Sequence, residues 1–175
     1  MSRVLKKSFF NRDSFLVAEE LMGQKLCRQV GSSIWKYTIS EVEVYDGYED
    51  KASHAFNKKS YLGRSAVMFG DPGIWYIYLC YGMHWMLNIV TRERGYPAAL
   101  LIRSCLEIQG PGRLTRNLNI NQNYNAKNAH PSTALWIEEN PSLNHIKIIK
   151  TPRIGIHSSG EYWSQKKFRY LIKNL

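Results

Sequence analysis

Tyr76-Ile-Tyr-Leu-Cys-Tyr81-Gly-Met-His-Trp-Met-Leu-Asn88 is a pair of aromatic, strand-prone runs hinged at a Tyr-Gly dipeptide. Aromatic and β-branched residues favour pleated, half-buried backbone, and glycine supplies the positive φ of a tight turn. The stretch therefore predicts strands over 74–80 and 83–91 with an aromatic side chain at the tip, and 98–106 as a third strand. Upstream, residues 25–30 and 33–44, split by Gly31-Ser32, predict a second hairpin. In its second strand Val42 and Val44 alternate with Glu41, Glu43 and Tyr45. Period-two alternation sends the valines to a core and leaves Glu43 on the opposite face, near a strand end.

The rest of the chain adds short elements. Asn11 to Gly23 predicts a helix with Asp13 as its cap and Gly23 at its end. Lys51 to His54 predicts a helical turn, 57–65 a polar, basic loop, and Gly110 to Leu118 the opening of a helix. Ser132 to Glu139 predicts another short helix, and 145–150, 153–157 and 168–172 predict further strands. Strands and helices do not alternate regularly, which excludes a doubly wound parallel sheet. The expected fold is α+β: one domain over residues 1–175, with a curved, mainly antiparallel sheet, short surrounding helices and a protruding hairpin.

The chain has 175 residues and a formal charge of +10, yet residues 41–50 hold five acids and no base. The basic character belongs to everything outside that island, and it selects polyanions as partners. No apolar run approaches the roughly 20 residues that span a bilayer, and the amino terminus carries no readable secretory signal, so no membrane partner and a cytoplasmic location are expected. Cys27, Cys80 and Cys105 are odd in number and set in apolar runs, which predicts reduced core thiols. His54, His84, His130, His145 and His157 lack metal-site spacing, so neither a metal nor another cofactor is expected.

Glu43-Val-Tyr45, Gly47, Glu49-Asp50, Ser53-His54, Met68-Phe69, Pro72-Gly73 and Tyr76-Ile-Tyr78-Leu-Cys-Tyr81-Gly-Met83 occur in this order. They are followed by Asn88, Leu101-Ile-Arg103, Gly110-Pro-Gly-Arg113-Leu-Thr115 and Arg153-Ile-Gly155-Ile156. The ordered set resembles the alkyladenine (3-methyladenine) DNA glycosylases over nearly the whole chain. The resemblance implies a monofunctional enzyme that turns a damaged purine out of duplex DNA and hydrolyses its N-glycosidic bond. A stacked nucleotide shields C1′, and unstacking costs a few kcal/mol, least for damaged or mispaired bases. By the resemblance Tyr81 is the side chain that fills the vacated space. Tyr45, His54 and Tyr78 hold the extruded base, Asn88 discriminates against guanine, and Glu43 is the general base. Arg103 holds that carboxylate and its water. The partner implied is double-stranded DNA containing a damaged purine, bound by a monomer. Lys58, Lys59, Arg64, Arg113 and Arg116 are read as phosphate contacts.

Taken singly, each residue has a plainer reading. Glu43 is then a solvated strand-end acid like Glu41, Tyr45 and Tyr78 are ordinary strand aromatics, and Tyr81 merely shapes a turn. His54 caps a helix, Asn88 satisfies a strand end, Arg103 pairs with Glu107 or another acid, and the basic residues form a solvated surface. Two other functions stay open on the residues alone: a non-enzymatic module that stacks single strands on its rings, and a metal nuclease built on Glu41, Glu43, Asp46, Glu49 and Asp50.

Overall fold

In chain order the computed structural model, which describes residues 3–57, 63–142 and 146–173, begins with α1 (Lys7–Phe10) and α2 (Ser14–Leu21). The hairpin β1 (Lys25–Val30) and β2 (Ser33–Asp46) follows, then β3 (Trp75–Cys80), β4 (His84–Val90) and β5 (Ala98–Cys105). After α3 (Pro111–Asn117) come β6 (Leu135–Glu138), β7 (Ile148–Thr151), α4 (Glu161–Ser164) and β8 (Arg169–Ile172). The strands form one sheet in the order β3-β4-β5-β2-β1-β6, with β8 also on β2 and β7 beside β8. Its ladders are antiparallel.

β2 organises the sheet because its 14 residues outreach every neighbour. Its first half pairs with β1, and its second half lies between β5 and β8. Ile39 faces Cys105, Glu41 faces Ser104 and Val42 faces Ile102, so Ser40 and Arg103 are skipped by the ladder. Such bulges bend a sheet and re-aim side chains, which accounts for the curvature at this point and for the direction of Arg103.

Alternation then splits the sheet into two unlike faces. Val42, Val44, Ile89, Leu100, Ile102 and Trp75 are buried in the main core with Val17 and Leu21 of α2 and Leu114 of α3. Each such aliphatic side chain contributes roughly 1.5–3 kcal/mol by leaving water. α2 is seated by Asp13, whose carboxylate accepts from Phe15 N–H at 2.9 Å and Leu16 N–H at 3.2 Å. On the other face a smaller cluster joins Tyr76, Val90 and Ala99 to Ala55, Met68 and Phe69, with Tyr45 and Tyr78 packed against it. The register row Tyr76, Asn88, Leu101, Glu43 crosses four strands on this second face.

Several local expectations are corrected. Ser132 to Glu139 is not a helix: a 3-10 turn over Pro131–Thr133 ends at Ala134, whose φ of +61° breaks the helical path, and the rest pairs with β1 as a strand. Trp136 and Ile137 suit that half-buried ladder better than a helix. Residues 153–157 are an irregular loop leading into a 3-10 turn, because Arg153 is buried there and Gly155 takes φ +76°. The strand expected at 145–150 is Ile148–Thr151, and residue 145 lies outside the described residues. Lys51 to His54 is a chain of turns tied to Asp50, with Ser53 N–H donating to the Asp50 carbonyl at 2.9 Å and Ala52 N–H to its carboxylate at 3.0 Å. Cys27 and Cys105 are buried free thiols, the former pushed up to about 12 by burial and then by Glu138. Cys80 is only half-buried, since the end of β3 leaves the core. Among the described residues no helix is long and apolar enough to cross a membrane.

Candidate active site

The second face of the sheet opens into a cavity of about 500 Å³. Tyr45 from β2, Tyr76 and Tyr78 from β3, Asn88 from β4, and Leu101 and Arg103 from β5 form its sheet side. His54 arrives from the turns after β2, Arg64 and Met68 from a 3-10 turn over Arg64–Phe69, and Ile154 to Ile156 from the loop after β7. The rings are mutually fixed: His54 and Tyr78 meet edge-on with centroids 4.6 Å apart, and Tyr76 and Tyr78 lie 5.3 Å apart. His54 Nδ1 and the Tyr76 hydroxyl share a hydrogen bond of 2.8 Å. A mostly apolar hollow with a few fixed polar groups is the usual form of a small-ligand site.

Glu43 lies behind the cavity wall rather than on it, with no exposed surface. Its Oε2 accepts from the Tyr45 hydroxyl at 2.8 Å, and its Oε1 accepts from Ile154 N–H at 2.8 Å. Arg103 Nη1 stands 3.5 Å from Oε1. The solvated strand-end reading of Glu43 is therefore overturned, because a buried carboxylate has to be satisfied by donors and opposite charge. Arg103 does pair with an acid, but with Glu41 rather than Glu107: Arg103 Nε donates to Glu41 Oε1 at 2.9 Å, while Glu107 accepts from Thr38. Glu41 further accepts from Arg169 Nε at 2.6 Å and from the Ser104 hydroxyl at 2.7 Å. Burial works to raise the Glu41 pKa, but the bonds from Ser104 and Arg169 and the charges of Arg103 and Arg169 outweigh it, leaving the carboxyl below its usual range. The opposite holds for Tyr45, whose phenol is held well above its ordinary value by burial and then by the charge of Glu43. Tyr76 and Tyr78 are raised as well, chiefly by burial. These phenols stay neutral and can donate at any working pH.

Asn88 is buried at the back of the cavity, with its amide donating to the Tyr76 carbonyl at 2.9 Å and to that of Met86 at 3.3 Å. A side-chain amide held through its nitrogen presents its carbonyl oxygen the other way.

Tyr81 stands at the hairpin tip on the cavity rim and is 84% exposed. Tyr81 at φ +51° and Gly82 at φ +68° form a left-handed pair, closed by Met83 N–H donating to the Cys80 carbonyl at 3.1 Å. A bulky residue at positive φ costs on the order of 1 kcal/mol, so the ring is held outward against local preference. The hairpin is backed by α3, where a Cβ on Gly112 would come within 2.8 Å of His84 Nδ1, so glycine lets the helix approach.

Of the basic residues, Arg64 lines the cavity with its guanidinium 5.9 Å from the centroid of the Tyr78 ring. Arg113 and Arg116 are exposed on α3 and border shallow depressions beside His84 rather than the main cavity. Lys58 and Lys59 lie outside the described residues. The acids of the 41–50 island do not converge: Asp46 binds Arg92 and Ser14, Asp50 binds Arg153, and Glu41 binds Arg103 and Arg169. Among the described residues no group of three or more potential ligands is arranged to hold a metal ion. The sequence assigns no site role to the backbone of Ile154, to Ser104 or to Arg169, and it places Tyr76 only within a motif and Glu41 only in the metal-nuclease reading. The signal for Arg169 lies only in the strand register, where it faces Glu43 across β2 and β8.

Comparisons with known proteins give the family. The sequence model of the methylpurine-DNA glycosylase family matches residues 8–109 and 106–175. A protein of Ehrlichia ruminantium is 39% identical over 184 residues, covering 100% of this chain and 92% of its own length. One of Wolbachia pipientis wMel is 39% identical, covering 98% of this chain and 96% of its own. One of Legionella pneumophila (strain Corby) is 37% identical with the same coverage, 98% and 96%. All three bear the name of candidate 3-methyladenine DNA glycosylases. The chain belongs to the methylpurine-DNA glycosylase family, and it is a DNA glycosylase.

Proposed function

We propose that this family member is a monofunctional glycosylase, one domain over residues 1–175 acting as a monomer, that extrudes alkylated or otherwise damaged purines from duplex DNA and hydrolyses their N-glycosidic bond. The observation that carries the reading is Glu43: a fully buried carboxylate directly behind an aromatic hollow, held by the Tyr45 hydroxyl and Ile154 N–H. Such a group serves as a general base for water attacking C1′ and as a counter-charge for the positive sugar in the transition state. The water O–H bond breaks as Glu43 takes the proton, the C1′–O bond forms, and the base leaves with the electron pair of the C1′–N bond.

Tyr81 fills the space the purine vacates, a role suited to an exposed ring on a two-stranded support. Tyr45, His54 and Tyr78 enclose the purine, and their electron-rich faces favour the positive charge that N-alkylation places on a base. Asn88, fixed through its nitrogen, occupies space that the exocyclic amino group of guanine would need. Arg103 balances Glu41 and Glu43, and in this reading its guanidinium helps hold both the Glu43 carboxylate and the attacking water. Arg64, Arg113, Arg116, Lys58 and Lys59 engage phosphates and supply the salt-sensitive share of affinity. The products, a free purine and an abasic strand, enter base excision repair in the cytoplasm or on the nucleoid.

The test is a product assay on duplexes bearing a single 3-methyladenine, 1,N6-ethenoadenine or hypoxanthine, run with and without a chelator and with borohydride trapping. The expected result is release of free base from at least one duplex, an unbroken strand, indifference to the chelator and no trapped adduct. Binding without release favours the stacking module instead, and chelator-sensitive strand scission favours a nuclease.

A further inference from the structure

A charged pair in the interior has no part in the chemistry so far. The Arg153 and Asp50 side chains have no exposed surface, and they meet through two bonds, Arg153 Nη1 to Asp50 Oδ2 at 2.5 Å and Nη2 to Oδ1 at 2.8 Å. Arg153 Nη1 also donates to the Val44 carbonyl at 2.8 Å, between Glu43 and Tyr45. The guanidinium carbon lies 4.7 Å from the centroid of the Tyr45 ring and 5.2 Å from that of Phe168. Arg153 Nε is buried with no hydrogen-bond partner among the described residues. A buried ion pair is a poor way to stabilise a fold, because desolvation cancels much of the attraction and an apolar pair of similar volume is often as good or better. An orphaned N–H adds to that penalty.

What the pair does achieve is placement. Asp50 begins the turns that carry His54 into the cavity, and its carboxylate also accepts from Ala52 N–H. Arg153 immediately precedes Ile154, whose N–H holds Glu43. The pair thus ties together the two loops on either side of the cavity and anchors both to β2 beside Glu43. The geometry points to Asp50 and Arg153 as a positioning pair for the hydrolytic step: they fix the Ile154 N–H against the Glu43 carboxylate and set the Tyr45 ring that walls the purine. This inference rests on the reading of Glu43 as general base.

The test replaces both charges at once, Asp50→Leu with Arg153→Met, so that no unpaired charge is left buried. Three quantities are measured on a duplex with one lesion: thermal midpoint, Kd for the lesion duplex, and the single-turnover rate of base release. The expected result is a thermal midpoint close to that of the wild type, Kd weakened by less than about tenfold, and release at saturating enzyme slower by roughly 10- to 100-fold, the range that misplacing a reacting group produces. A folded double variant that releases base at the wild-type rate overturns the assignment. So does one whose activity falls only in proportion to its folded fraction. Glu43→Gln in the same assay separates the two failures. If Glu43→Gln is inactive while the double variant is fully active, the pair alone is wrong; if Glu43→Gln is active, the general-base reading fails and the pair with it.

Discussion

Val42 and Val44 on one face of β2, and Glu43 and Tyr45 on the other, sit on the same backbone and bond to the same neighbouring strands, yet their surroundings share little. The valine face is fully buried and packed with residues of the helices. The glutamate face opens into a ring-walled hollow where the hydroxyl of Tyr45 and the amide of Asn88 have hydrogen-bond partners, with the carboxylate of Glu43 held just behind the wall. Placing the cavity face on the back of the main core gives it a rigid support, which is what a fixed carboxylate needs. It also makes the two faces separable by substitution.

The largest expected effect falls on the core face. Leu100→Ala removes a fully buried side chain and should lower stability by about 2–5 kcal/mol, read as a denaturant midpoint shift at constant slope. Its release rate per folded molecule, measured at low temperature, should stay within about threefold of the wild type. A folded Leu100→Ala protein that no longer releases base would mean the two faces are coupled.

A smaller effect belongs to the hairpin tip. Tyr81→Asn keeps a residue that tolerates left-handed backbone and removes the ring, so the thermal midpoint should hold or rise slightly. Release from duplex DNA should fall by roughly 10- to 100-fold, consistent with a few kcal/mol of unstacking left without a wedge. Equal release by both proteins removes Tyr81 from the mechanism.

The acidic cluster sets a pH limit on the same face. Because the folded Glu41 carboxyl lies below its ordinary range, its contribution to stability is present above the unfolded carboxylate value of about 4.3 and is lost as pH falls through the folded value. The stability difference between wild type and Glu41→Gln, read from melting curves, should therefore hold constant from pH 7 downward and shrink below about pH 4, giving Glu41→Gln the shallower acid limb. Identical acid limbs in the two proteins rule out Glu41 as a contributor. The smallest change is outside both faces: Arg113→Ala or Arg116→Ala should each reduce the slope of log affinity against log salt by about 1 or less, with release at saturating enzyme unchanged. An unaltered slope assigns that arginine to bare solvated surface.

The sequence reveals the core face and the cavity face of β2 to different depths. Alternation of valines with Glu43 and Tyr45 already separates them, and the Tyr81-Gly82 pair already marks the hairpin tip, because both signals are local. The assignment of roles to Glu43, Tyr45, His54, Tyr78 and Asn88 came from an ordered motif set rather than from any single residue. What stays hidden depends on long-range pairing. The skipped residue that turns Arg103 toward Glu41 and Glu43 is a mismatch between two strands and leaves no mark in either one. The Ile154 N–H on Glu43 joins residues 111 positions apart through a backbone atom that carries no sequence identity. Leu135–Glu138 shows the reverse failure, where a helix-like local pattern yields to the open edge of β1.

The most direct measurement compares wild type and Glu43→Gln on a duplex containing one 1,N6-ethenoadenine or hypoxanthine, following single-turnover base release and duplex affinity together. If a buried carboxylate behind the aromatic hollow activates the water, Glu43→Gln binds the lesion duplex as the wild type does and releases base about 10²- to 10⁴-fold more slowly. Release by Glu43→Gln at the wild-type rate contradicts the account.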